Sequence, residues 1–183
     1  MRRLMLLGLL LCVGSTNVLA EEAKTKVHPL APLHALEGTW TGTYEQNGPE
    51  GWVVTGTSTV KFRVRLDGSA VEKRHIVKMR GSEWPMMTTF TFDPHREVYR
   101  LAAVDGPSGL MDIHEGQLED GFLVVDNTGS GTSMPLESGD QMSFRLRFDL
   151  RDSDALRLEV FNSIDGGANW APMMKVSYER VAS

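Results

Sequence analysis

The sequence predicts an all-β chain, an antiparallel up-and-down barrel of about ten strands with a short N-terminal helix. Three observations carry this. Val60 to Leu66 and Phe144 to Leu150 alternate apolar and polar without a fault, the pattern of a strand with one buried and one wet face. Turn signals punctuate the chain at Asn47-Gly48-Pro49, Asp67-Gly68, Asp93-Pro94, Asp105-Gly106-Pro107, Asp120-Gly121 and Asp165-Gly166-Gly167. The connections between strands are too short for helical crossovers, so neighbours pair antiparallel. Regular hairpin spacing then favours a barrel, which also leaves no exposed edge.

Residues 1–20 read as an export signal. Arg2 and Arg3 form the basic start, Leu4 to Val13 the apolar core, and Val18-Leu19-Ala20 the small-residue site before Glu21. That core is too short for a bilayer span, which needs roughly 20 residues. Cys12 is the only cysteine and leaves with the signal, so the mature chain is expected to have no disulfide, thiolate metal site or cysteine nucleophile. The expected location is the periplasm or the medium, with no integral membrane segment in the mature chain. The whole chain carries a net charge of −5, and loss of Arg2 and Arg3 makes it more acidic. No basic cluster with interleaved aromatics offsets this, which argues against nucleic acid as a partner.

Residues 21–28 read as a flexible tail and 29–183 as one barrel domain. Pro29 to Leu36 can make one or two helical turns, stopped by Gly38. The strands are expected at 38–46, 53–66, 69–80, 86–93, 97–104, 109–116, 121–127, 140–150, 155–162 and 170–181, with a longer Gly/Ser/Pro loop over 129–139. Trp40, Gly42 and Tyr44 share one face of the first strand. Arg180 shares the phase of Val176 and Tyr178 in the last.

Gly38-x-Trp40 after a short helical turn, and Arg180 in the final strand, resemble the lipocalin and fatty-acid-binding barrel superfamily. The resemblance implies a lipocalin-like barrel in which the first-strand tryptophan packs under the last-strand arginine, a guanidinium on an indole face. Leu36 to Trp40, Gly56-Thr57-Ser58, Phe92-Asp93-Pro94 with Tyr99, Asp165-Gly166-Gly167, Trp170 and Tyr178-Glu179-Arg180 are together similar to a family of bacterial secreted, lipocalin-like proteins of no assigned function. That family brings no catalytic residues. A haem-binding, nitrobindin-type relative implies a histidine inside the barrel, and no particular histidine here aligns with it.

Ser163-x-Asp165-x-Gly167-x-Asn169-Trp170 is similar to an Asp-box, with Asn169 where that pattern has threonine. One copy reads as the last β-turn. His75 shares a phase with Val71, Val77 and Met79. Facing inward, it can ligate a haem or metal or anchor a headgroup; the simpler reading is a core-edge histidine bonded to a neighbour. Lys73 lies in the same phase, which points either to a polar pocket or to the opposite phase. Arg100 shares a phase with Val98, Ala102 and Val104. An inward arginine there needs a partner, either a ligand carboxylate or an internal salt bridge. Tyr44 is a third anchor. Met111 and Ile113 are expected inside, which leaves His114 outside, and His95 reads as a turn residue.

No Gly-x-Ser-x-Gly nucleophile motif, paired aspartic-protease signature or phosphate loop occurs, so no catalytic residue is assigned. No pair of histidines has the spacing of a zinc site. The expected function is an exported barrel that binds a small hydrophobic or amphipathic molecule, with Arg100, His75 and Tyr44 as ligand-binding residues. The alternatives are a haem-binding or enzymatic barrel that uses an interior histidine, and a structural or interaction module whose barrel is filled by its own side chains. The cofactor is left undetermined.

Overall fold

The computed structural model describes residues 27–79 and 81–182. The expected signal over 1–20, and all of the tail but Val27 and His28, lie outside the described residues. One four-residue helix, α1 (Ala31–His34), precedes β1 (Gly38–Gly48), β2 (Gly51–Arg65), β3 (Ala70–Met79), β4 (Ser82–Asp93), β5 (Val98–Asp105), β6 (Met111–Glu119) and β7 (Phe122–Asp126). The chain continues through the two-residue β8 (Met134–Pro135), then β9 (Gln141–Asp149), β10 (Ala155–Ser163) and β11 (Ala171–Arg180). Each strand pairs antiparallel with its sequence neighbours, except that β9 pairs β7 and β8 only adds to the free end of β9. β11 pairs β1, so the sheet closes into a ten-strand barrel.

The predicted alternation sets the inner face. Trp40, Gly42 and Tyr44 point in from β1, Val60 and Phe62 from β2, Leu156, Leu158 and Val160 from β10, and Val176 and Tyr178 from β11. Gly42 is small for a reason: a Cβ there would stand 3.1 Å from Tyr178 Cε1 and 3.2 Å from Val60 Cγ2. Its absence lets the Tyr178 ring reach the axis.

The end of the barrel under α1 is closed. Leu30, Leu33 and Leu36 are buried against the core. Trp40 Nε1 donates to Leu36 O at 2.8 Å, and Tyr99 Oη donates to Pro29 O at 2.7 Å. The Arg180 guanidinium lies 4.3 Å from the Trp40 ring centroid and donates to the carbonyls of Ala35, Glu37 and Ser153. One side chain therefore ties the helix, the start of β1 and the β9–β10 loop together. Gly38 has φ +142°, and a Cβ there would stand 2.9 Å from Arg180 Nη1, so both backbone and space require glycine.

The last hairpin is held as the sequence predicts. Gly167 N donates to Ser163 Oγ, Ser163 Oγ and Asn169 N donate to Asp165 Oδ1, and Trp170 packs 4.1 Å from the Arg145 guanidinium. His95 N donates to Asp93 Oδ1 in the β4–β5 turn.

Two strands present the face opposite to the one expected. In β5, Tyr99, Leu101 and Ala103 are inside, and Arg100 lies on the outer wall. In β6, His114 is inside at 2% exposure, while Met111 is exposed. These are one correction, because Leu101 is the ladder partner of His114 and a one-residue change of phase turns both strands together.

Candidate functional site

β3 sends Val71, Lys73, His75 and Val77 toward the axis, and its other face carries Glu72, Arg74 and Ile76. Lys73 is the notable member. Its exposure is 2%, and Nζ donates to Tyr178 Oη at 2.8 Å. The ammonium lies 5.0 Å from the Tyr178 ring centroid and 6.0 Å from those of Phe62 and Phe148. Among the described residues no carboxylate pairs with it. Three aromatic faces offset part of the cost of burying the charge. Desolvation still dominates and brings Lys73 down to about 7.

Other polar groups surround this amine. Ser58 Oγ donates to Tyr44 Oη at 3.2 Å, and burial raises the pKa of Tyr44 despite that bond. Burial, and then the nearby Tyr44, holds the Tyr178 phenol well above its usual range. His75 Nδ1 is buried without a partner among the described residues; desolvation and then the charge of Lys73 hold its pKa well below the ordinary imidazole value. Thr88, the ladder partner of Lys73, is also buried on this face.

The barrel has two storeys. Below and around Lys73 it is packed: Trp40, Tyr44, Val60, Phe62, Val71 and Leu156 are 0% exposed, so no water-sized void touches them. Toward the end away from α1, inward side chains keep partial exposure, notably His75, Met79, Trp84, Met86, Phe144 and Leu146. Lys73 sits at the boundary, a buried cation below this partly exposed, methionine- and aromatic-containing upper storey.

A groove of about 680 Å³ reaches the same region from outside. It is lined by Thr59, Lys61, Arg74, Ile76, Pro85 and Met87 on the outer wall and by His75 and Met86, ladder partners in the inner phase.

The family model described as "Protein of unknown function (DUF1579)" matches residues 25–180. The chain belongs to the DUF1579 family. No curated protein is similar enough in sequence to be matched to it. Among solved structures, the chain is similar to Rv2717c from M. tuberculosis, with a TM-score of 0.54 at 14% identity over 84% of this chain and 98% of that one. It is also similar to the S-type phycobiliprotein lyase CPES from Guillardia theta, with a TM-score of 0.53 at 10% identity over 82% of this chain and 90% of that one. At these identities the likeness is one of fold.

Within this DUF1579 barrel, the structure places His75 beside Lys73 in the inner phase, Tyr44 near Tyr178, the hydrogen-bond partner of Lys73, and Arg100 elsewhere. Arg100 Nε meets Glu115 Oε1 at 2.8 Å on the outer wall. The inward cation is Lys73, signalled in the sequence only by its phase with Val71, His75 and Val77. His114 is the second inward histidine. Its Nε2 lies 3.6 Å from Asp112 Oδ2, and both ring nitrogens are buried without a hydrogen bond among the described residues. Burial lowers its pKa, opposed by Asp112 and Asp126. Leu101, Val125 and Asn127 around it are at most 1% exposed, so the residues at His114 leave no room for a haem. Asn127 instead ties the β7–β9 loop, donating to Asp112 Oδ1 at 2.8 Å and accepting from Phe144 N at 2.7 Å.

Proposed function

We propose that this protein is an exported, lipocalin-like barrel that binds a small amphipathic acid, with the apolar body among the partly exposed side chains of the upper storey and the acidic headgroup directed at Lys73. The observation that carries this reading is a buried ammonium with no acidic partner among the described residues. An isolated charge in a dry interior costs several kcal/mol, and a methionine or leucine would fill the same space without that cost. A ligand carboxylate supplies the missing charge and restores the ammonium. His75 and Tyr44 border the site as polar groups that set headgroup orientation, and Met79, Trp84, Met86, Phe144 and Leu146 supply adaptable apolar contact. Export to the periplasm or medium belongs to the same reading and is supported by the signal-like residues 1–20.

Native mass spectrometry of mature protein from its own host, prepared without detergent, tests this. The expected result is a discrete added mass that disappears on denaturation and is absent from a folded Lys73→Met variant. The same adduct, held equally well by Lys73→Met, removes Lys73 from the site and the reading with it. The N-terminal sequence of the purified protein, expected to begin at Glu21, tests export.

A further inference from the structure

β2 and β3 remain strands well beyond the point where they stop pairing. Their ladder runs only from Arg65 opposite Ala70 to Lys61 opposite Arg74. On the other side of β3 the ladder with β4 is unbroken from Val71 opposite Phe90 to Met79 opposite Ser82. Higher up, β2 and β3 are rejoined by a side chain, Thr55 Oγ1 donating to Lys78 O at 2.6 Å. Between these two joins the wall has an interval, formed by 56–60 on one side and 75–77 on the other.

The groove lies at this interval. Thr59, Lys61, Arg74 and Ile76 line it from outside, and His75, which neighbours Lys73 on the inner face, is reached from it. Ile76, Pro85, Met86, Met87 and Val104 give it an apolar surface. No carboxylate is among its lining residues, although the chain as a whole carries −5. Arg74 is shared with Glu72, and Lys61 has no ion-pair partner among the described residues. The mouth thus presents one cation unpaired among the described residues, Lys61, on an acidic protein, which draws anions to it.

We propose that this interval is the entrance to the site, through which an amphipathic acid docks on Lys61 and passes between β2 and β3 to Lys73. This rests on the binding function proposed above. The interval lets a ligand through by side-chain movement alone, with no ladder hydrogen bonds to break. Its cation at the mouth and its cation inside define a path for one headgroup.

Stopped-flow fluorescence with 11-(dansylamino)undecanoic acid tests the entrance, using the mature protein and two folded variants. Thr59 is exposed on the outer wall, so Thr59→Trp obstructs the groove and leaves the interior intact. It is expected to slow association and dissociation alike, each by about tenfold or more, and to leave Kd within about twofold. Lys61→Glu is expected to slow association by about tenfold and to weaken its dependence on salt. Wild-type rates in Thr59→Trp overturn the entrance and direct entry to the open end, while binding itself stands. A raised Kd with unchanged association also overturns it, since the groove is then the resting site. If the wild-type protein binds none of the acid, the binding function fails and the entrance falls with it.

Discussion

Lys73 Nζ and Tyr178 Oη meet at 2.8 Å across the middle of the barrel, from strands that lie three places apart in the closed sheet. Tyr178 accepts as a neutral phenol, because burial holds its pKa well above the usual value. The bond satisfies one of the three ammonium donors and supplies no negative charge. The amine is therefore a buried cation with no countercharge among the described residues, and the main predictions concern it.

Stability should depend on pH through Lys73. The folded-state pKa is about 7, against an ordinary value of 10.5. Below about 7 both states carry the proton and the buried charge costs its full amount. Between about 7 and 10 the unfolded chain binds the extra proton, so stability rises with pH by up to about 1.4 kcal/mol per unit. Urea unfolding of wild type and Lys73→Met should show the variant's advantage shrinking over this window. Parallel curves rule out a depressed Lys73.

Ligand affinity should run the other way. A carboxylate needs the ammonium, so Kd for an amphipathic acid is expected to rise about tenfold per pH unit above about 7, until the pH passes the raised pKa of the amine in the complex. Titration calorimetry in buffers of different ionisation enthalpy should show proton uptake on binding. An affinity flat across this range places the headgroup elsewhere.

Closure of the barrel end depends on Trp40. Trp40→Ala should cost about 3–5 kcal/mol, read as a drop in the urea midpoint. Arg180→Ala should also destabilise, since it leaves the Ala35, Glu37 and Ser153 carbonyls without that donor.

Arg100→Ala should do little. Arg100 and Glu115 are 41% and 39% exposed at their side chains, and a pair of that kind contributes about 0–1 kcal/mol. Ligand affinity should be unchanged, in contrast to Lys73→Met.

Gly116→Ala is a sharper test of the β6 phase. A Cβ at this position runs into the Val124 carbonyl, and overpacking of this kind costs about 1–3 kcal/mol. A neutral effect means that β6 and β7 are farther apart than described.

Much of the fold was legible in the residues. Period-two segments separated by Asp-Gly and Gly-Pro turns located ten strands and their order, and Trp40 with Arg180 marked the seam where the first meets the last. The phase of β5 was not legible. Val98, Arg100, Ala102 and Val104 form one face and Tyr99, Leu101 and Ala103 the other. Both are mainly apolar, and Arg100 fits equally an outer salt bridge or an inward ligand anchor, so alternation does not choose between them. The structure chooses with Tyr99, whose hydroxyl reaches Pro29 O under the helix, and with Leu101 opposite Phe90. That choice carries β6 with it and brings His114 in. Lys73 stood in an inward phase from the start, but a lysine there argues equally for the other face until its surroundings are known.

The sequence by itself determined the strands, their antiparallel succession and the turns, because each depends on residues near in the chain or on a recurring alternation; the Trp40–Arg180 closing pair followed from the family resemblance. Only the tertiary structure decided which face of β5 and β6 is buried, that the Lys73 amine meets three rings from three other strands, and that β2 and β3 part above Lys61 and Arg74. Burial and pairing belong to neighbours brought together by closure of the sheet, and a local pattern whose two faces are similarly mixed carries no record of them.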